Sequence, residues 1–332
     1  MIRDSGLKEL YKRIKTSLYF RICGKVIQLF GVHLRKVHER EILGVKEANL
    51  RIKSLIQSNL PLMISRFGTT EGKFLLEANS KFNEHKLEKV ATDLWQLSGV
   101  YPIDEQSLDY FARVYRENAN QIDLLGVRSA PEEFTYWEME KRLAEEFCKE
   151  AILFDIEGLF PLNSPNPWTL ALESRKVLVV HPFIESMKIQ YSKRKELFGD
   201  HPILPHFEPI WLKAPQTLGF EDVDSKNRSW ASSLSQLLHE IEVLDFQIAL
   251  IGCGAYGLPI ASRIKALGKQ AIHIGGVLQI IFGIKGQRWD KELQGIIPPI
   301  NYSNWIWPSP DETPKNAGNV EGGAYWSPEF FY

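Results

Sequence analysis

The sequence predicts an α/β fold of the Rossmann-like, doubly wound type: a mostly parallel sheet of about six strands flanked by helices. Three observations on the 332-residue chain point there. Short apolar runs alternate with longer segments of helical periodicity. The connecting segments are long enough for right-handed crossovers between parallel strands. The stretches richest in glycine and polar residues come directly after the apolar runs, where an open parallel sheet holds its ligands.

In chain order the expected strands are Leu62–Ser65, Ile122–Val127, Val177–Val180, Pro209–Lys213, Ile248–Ile251 and Ala271–Ile274. Helical patterns fall around Thr70–Ala78, Leu87–Gln96, Ser107–Ala119, Glu132–Glu150, Glu185–Leu197, Trp230–Val243 and Tyr256–Leu267. Hydrophobic residues make up 44% of the chain, enough for a substantial core. The tail "NWIWPSPDETPKNAGNVEGGAYW" is too apolar for a linker and too rich in proline for a helix, so it is expected to wrap the domain and pack its aromatic rings onto it.

Charge divides the chain into an arm, residues 1–45, and a single domain, 46–332. The first forty residues carry ten Lys and Arg against Asp4, Glu9 and Glu39, a balance of +7 that leaves −8 for the rest of a chain whose total is −1. Leu7, Leu10, Tyr11, Ile14, Leu18, Tyr19 and Ile22 recur between these cations at helical spacing. Such a helix either lies on an anionic membrane surface or packs on the domain with its basic face in solvent. No apolar run approaches the roughly 20 residues needed to span a bilayer. Cys23, Cys148 and Cys253 form no C-x-x-C pair, so neither a disulfide framework nor a cysteine zinc site is expected. These features fit a cytoplasmic protein, with peripheral membrane contact through residues 1–40 if the arm lies on a membrane. Nucleic acid is not an expected partner, because the domain outside the arm is net acidic.

Gly252, Gly254 and Gly257 form a G-x-G-x-x-G between an apolar run and a helical pattern. A dinucleotide site requires an acidic residue at the end of the next strand for the ribose hydroxyls. Here that strand ends in His273, Ile274, Gly275 and Gly276, so NAD is not expected. The glycines then either permit a tight strand-to-helix turn or cradle the phosphates of another nucleotide. H-E-x-x-H, G-x-x-x-x-G-K-[ST] and G-x-S-x-G are absent, which leaves zinc protease, P-loop and esterase readings without support.

Two patches, "ISRFGTTEG" and "GCGAYGLPIASRIKALGKQAIHIGG" with the following "LQIIFG", resemble the GT-D-type glycosyltransferases, a bacterial family first catalogued as a domain of unknown function. The first is similar to that family's R-[FY]-G-D-G-E at the end of the first strand, and the likeness runs roughly from Leu62 to Arg288. The resemblance implies a Rossmann-like fold that binds a nucleotide-sugar donor, usually a UDP-hexose. It implies transfer of the sugar to a glycan or lipid-linked glycan acceptor in bacterial surface polysaccharide assembly, with help from a divalent metal, Mn2+ or Mg2+, tied to the D-x-E pair. Glu71 matches the second acid of that pair as the metal residue, and Thr69 stands in place of the first.

Transfer of a sugar from a nucleoside diphosphate needs neutralisation of the leaving diphosphate and a carboxylate near the acceptor hydroxyl. Arg66 and Glu71 are the expected catalytic pair, Arg66 on phosphate and Glu71 on metal or as general base. An Arg and a Glu at a helix start equally suit the first-turn amides. Expected donor contacts are Gly68, Thr69 and Thr70 in the same turn. Others are His181 with Ser186, Gln190 and Tyr191 on the helix after it, and Gly252, Gly254 and Tyr256 in the glycine motif. His273, Gly275, Gly276 and Gln279 follow the last strand, and Lys285 and Arg288 sit in the glycine-flanked loop "GIKGQRWD". Each histidine also has a purely structural reading. A catalytically idle sugar-binding module and a Rossmann enzyme using NAD(P) or S-adenosylmethionine are the alternatives.

Overall fold

The computed structural model describes residues 36–37, 40–78, 84–129, 134–218, 229–292 and 302–331. The basic arm falls outside the described residues up to residue 35. Its last part does not stay an arm: Arg40–Leu43 joins the sheet. Among the described residues no helix is long and apolar enough to cross a membrane.

Among the described residues nine strands form the sheet: β1 (Lys36–Val37), β2 (Arg40–Leu43), β3 (Leu62–Arg66), β4 (Leu124–Val127), β5 (Ile152–Asp155), β6 (Lys176–His181), β7 (Glu208–Lys213), β8 (Ile248–Ile251) and β9 (Gln270–His273). Their order is β1-β2-β5-β4-β3-β9-β8-β6-β7. Only the β1–β2 pair is antiparallel, so the doubly wound parallel sheet has eight strands where six were expected. All six expected strands are present. The additions have a physical reason: "REIL" buries only Ile42, and "ILFD" leaves Ile152 38% exposed, so neither reads as a strand buried on both faces.

Crossover direction sorts the helices. Steps from β3 to β4 and from β8 to β9 run one way along the sheet. They put α2 (Thr69–Ala78), α3 (Glu84–Ser98), α4 (Glu105–Ala119) and α9 (Gly257–Ala266) on one face. With these go α5 (Phe134–Phe147) and α8 (Trp230–Glu242). Steps from β2 to β3 and from β6 to β7 run the other way, and α1 (Val45–Gln57), α6 (Ile184–Ser192) and α7 (Arg194–Leu197) cover the opposite face. α1 buries Ala48, Ile52 and Ile56 four residues apart, and each isoleucine contributes roughly 1.5–3 kcal/mol of burial. The helix expected over 185–197 breaks at Lys193.

β8 and β6 are neighbours whose onward connections leave in opposite directions. That switch point opens a crevice beyond their carboxyl ends, the place where open α/β sheets bind ligands.

Candidate active site

A cavity of about 540 Å3 opens at this edge, walled by the ends of β3, β9, β8 and β6, by Arg128 after β4 and by tail residues around Tyr325. From the β3 end come Arg66, Gly68, Thr69, Thr70 and Glu71; from β6, His181; from β8, Gly252, Gly254 and Tyr256. His273, Gly275, Gly276 and Gln279 complete the β9 side, and Arg288 stands at the wall near the tail.

Arg66 ends β3. Its Nε and Nη2 donate to the Phe67 carbonyl at 3.2 and 3.1 Å, which fixes the plane of the guanidinium. The rest of the group leans across the neighbouring strand end: a Cβ at Gly275 would stand 3.3 Å from Nη1, and Gly275 holds φ at +72°, where glycine is favoured. Arg66 makes no ion pair among the described residues. Burial, and then the nearby Arg128, push its pKa below the usual arginine value.

Glu71 lies in the first turn of α2 and is 6% exposed. A side chain at Gly68 would collide with its carboxylate, so the glycine makes the room in which the acid folds back. Desolvation raises the Glu71 pKa, while its own backbone N–H, Arg66 and the Ser98 hydroxyl act against that rise. A buried carboxyl whose pKa is raised, beside a half-buried cation, is suited to accepting a proton.

Arg128 was not singled out in the sequence, although it follows the β4 run much as Arg66 ends β3. It pairs with the buried Glu140 through Nη1, and its backbone N–H donates to the other carboxylate oxygen at 2.6 Å. Its guanidinium sits 4.6 Å from the centre of the Tyr136 ring, and Nη2 donates to Thr69 Oγ1 at 3.4 Å. Thus the residue beside Thr69 is a cation. Desolvation raises the Glu140 pKa, opposed chiefly by Arg128.

The two histidines are held neutral by burial, each with its pKa lowered to about 3. His181 Nδ1 accepts the Phe183 backbone N–H at 3.0 Å, which puts the ring proton on Nε2. His273 Nδ1 lies 3.0 Å from Ser65 Oγ. The glycine motif packs around these rings. A Cβ at Gly252 would stand 2.7 Å from the Gly275 carbonyl and 2.9 Å from His181, one at Gly257 would run into His273, and Gly254 turns the chain at φ +55°.

Four expected contacts lie off the cavity. Ser186 Oγ and N–H donate to the buried Glu312 of the tail, whose carboxylate also takes the Glu185 N–H at 2.8 Å and so caps α6. Gln190 donates to the carbonyls of Gly283 at 2.8 Å and Asn304 at 3.1 Å. Tyr191 Oη accepts the Phe207 N–H at 2.7 Å. The polar face of α6 therefore grips the tail instead of a ligand. Lys285 Nζ sits 4.9 Å above the Tyr302 ring, while Arg288, on the cavity, stands 3.6 Å from Glu321. Buried Trp305 and Trp326 anchor the same tail, the latter donating to the Glu312 carbonyl at 3.0 Å.

A divalent metal does not fit this donor set. Among the described residues no three His, Cys, Asp or Glu side chains converge. Both oxygens of Glu140 are taken by Arg128, and Thr69 Oγ1 accepts from the same guanidinium.

No protein-family model matches the chain, and no curated protein matches it. Among solved structures the chain is similar to two of domain of unknown function 1792, at 11% and 12% identity. Both alignments cover 73% of this chain and 80% of the other, with TM-scores of 0.37 and 0.36. The second is described as "The highly conserved domain of unknown function 1792 has a distinct glycosyltransferase fold". The functional reading accordingly stands on the cavity itself.

Proposed function

We propose that the protein is a glycosyltransferase taking its sugar from a nucleoside diphosphate donor, a UDP-hexose by the resemblance of its two motifs, and passing it to a surface-glycan acceptor. The observation that carries this reading is the meeting, in one cavity, of a half-buried arginine that makes no ion pair among the described residues and a buried carboxylic acid. Gly68 makes the room in which Glu71 folds back, and Gly275 the room across which Arg66 leans.

The chemistry is balanced by these groups. The acceptor hydroxyl oxygen bonds to the anomeric carbon and gives its proton to Glu71. The bond from that carbon to the phosphate oxygen breaks, and its electron pair leaves on the diphosphate. Arg66 offsets the charge that develops there, an effect strengthened by the low dielectric of a buried site. The raised pKa of Glu71 brings it toward the pH at which a general base works best.

The test is a thermal-shift screen of the full chain against UDP, GDP, CMP, their common sugar conjugates, NAD(H) and S-adenosylmethionine. Binding to the native state alone raises apparent stability. The expected result is a rise with one nucleoside diphosphate family and its sugars. Stabilisation by NAD(H) or S-adenosylmethionine alone, or silence throughout, would overturn the reading.

A further inference from the structure

We propose that the cavity binds the donor diphosphate without a divalent metal, Arg66 and Arg128 supplying the positive charge. The inference deepens the glycosyltransferase reading and rests on it.

Three observations converge. First, the two guanidiniums come from the ends of neighbouring parallel strands: Arg66 pairs with Gly126 in the β3–β4 register, and Arg128 lies two residues beyond. They face one cavity, and Arg128 is close enough to lower the pKa of Arg66, so an anion beside them relieves a like-charge contact that a divalent cation would aggravate. Second, the carboxylates that a metal would need are committed elsewhere. Glu140 is bound at both oxygens by Arg128, Glu321 stands 3.6 Å from Arg288, and Glu71 is engaged by its own N–H and by Ser98. Of the histidines, His273 meets Ser65 through Nδ1 while its Nε2 abuts Gly257, and His181 Nδ1 accepts the Phe183 N–H. Third, Arg128 is held rigidly, 8% exposed, between Glu140 and the Tyr136 ring, with Nη2 turned to Thr69 Oγ1. A planar, preoriented guanidinium is suited to bidentate contact with phosphate oxygens. The position whose counterpart in the resembling motif is an acid is here a hydroxyl that accepts from this cation.

The experiment is isothermal titration calorimetry of the full chain with UDP, GDP and inorganic pyrophosphate, once in EDTA and once in manganese chloride. The expected result is binding in EDTA that manganese tightens less than threefold. Arg66→Gln and the paired Arg128→Gln/Glu140→Gln, which leaves no buried carboxylate alone, are each expected to weaken it at least tenfold. Arg66→Lys, keeping the charge, accompanies the first variant, and circular dichroism checks that each folds. Lys285→Ala, off the cavity, is the control that retains affinity. Thr69→Asp is expected to weaken binding in EDTA by setting a carboxylate against the Arg128 Nη2 that would meet the diphosphate.

Binding seen only with manganese would overturn the inference and leave the glycosyltransferase reading standing. Binding in EDTA that survives loss of both arginines in folded variants would overturn it as well. Absence of binding by all three probes in both conditions would overturn the reading beneath it.

Discussion

Two glycine-bearing turns meet at the cavity, and they use their glycines for opposite ends. In the turn after β3, Gly68 leaves room for a charged side chain of the same turn, and Glu71 folds into that space as Arg66 spreads toward Gly275. In the turn after β8, Gly252 and Gly257 leave room for side chains from other strands, the neutral rings of His181 and His273. One turn delivers charge to the cavity and the other closes the packing behind it. A glycine motif is thus not evidence of a phosphate cradle until what fills the missing side chain's place is known.

The sharpest way to break this comparison is Glu71→Gln. If Glu71 takes the acceptor proton, kcat falls by about 10²- to 10⁴-fold, the usual worth of a general base. The fold should be as stable as before or more so at neutral pH, because a buried ionised carboxyl is replaced by a neutral isostere. Turnover assayed with the donor identified by the screen, beside a thermal melt, separates the two effects; unchanged turnover removes Glu71 from the chemistry.

A paired glycine scan gives the next largest effect. Gly252→Ala must move backbone, since its Cβ would stand 2.7 Å from the Gly275 carbonyl, and should cost about 1–3 kcal/mol in denaturant unfolding. Gly68→Ala need only displace the movable end of Glu71. It should cost less than about 1 kcal/mol of stability while lowering kcat roughly 10- to 100-fold through misplacement of the acid. Equal stability losses at the two sites would erase the distinction between the turns.

The same contrast explains how much was legible in the sequence. The six strands buried on both faces were readable because a parallel strand covered by helices is a continuous apolar run. Ile152–Asp155 escaped because its Ile152 is exposed and its Asp155 turns back to cap the next segment. At the site, Arg66, His181 and His273 were visible as polar residues at strand ends and Glu71 at the helix start that follows, and the structure brings all four to one cavity. Ser186 and Gln190 looked like a ligand-facing stripe, yet their partners are Glu312, Gly283 and Asn304, more than ninety positions away. No local pattern announces such a partner. Arg128 carried a signal that was passed over, an arginine just past an apolar run, as at Arg66. Its pairing with Glu140 and its place beside Thr69 emerge only when β3 and β4 lie side by side.

The smallest expected effect concerns the histidines alone. Each ring has an unfolded pKa near 6.5 and a folded one of about 3, so the folded state binds fewer protons than the unfolded one between those values. Stability from each ring is therefore complete above pH 6.5 and drains as the pH falls toward 3. Lowering the pH from 6.5 to 5.5 should cost about 1 kcal/mol for each. Glu71 and Glu140 act with the opposite sign, because their raised folded pKa values mean that acidification relieves a desolvation cost. The total slope mixes the two, and a difference isolates the ring. His273→Gln should be less stable than the wild type at pH 7, having lost the fitted ring beside Gly257, and that gap should narrow by about 1 kcal/mol at pH 5.5. Urea unfolding of both proteins at the two pH values measures it. A constant gap would mean that His273 titrates alike folded and unfolded, and that the turn after β8 does not close on a neutral ring.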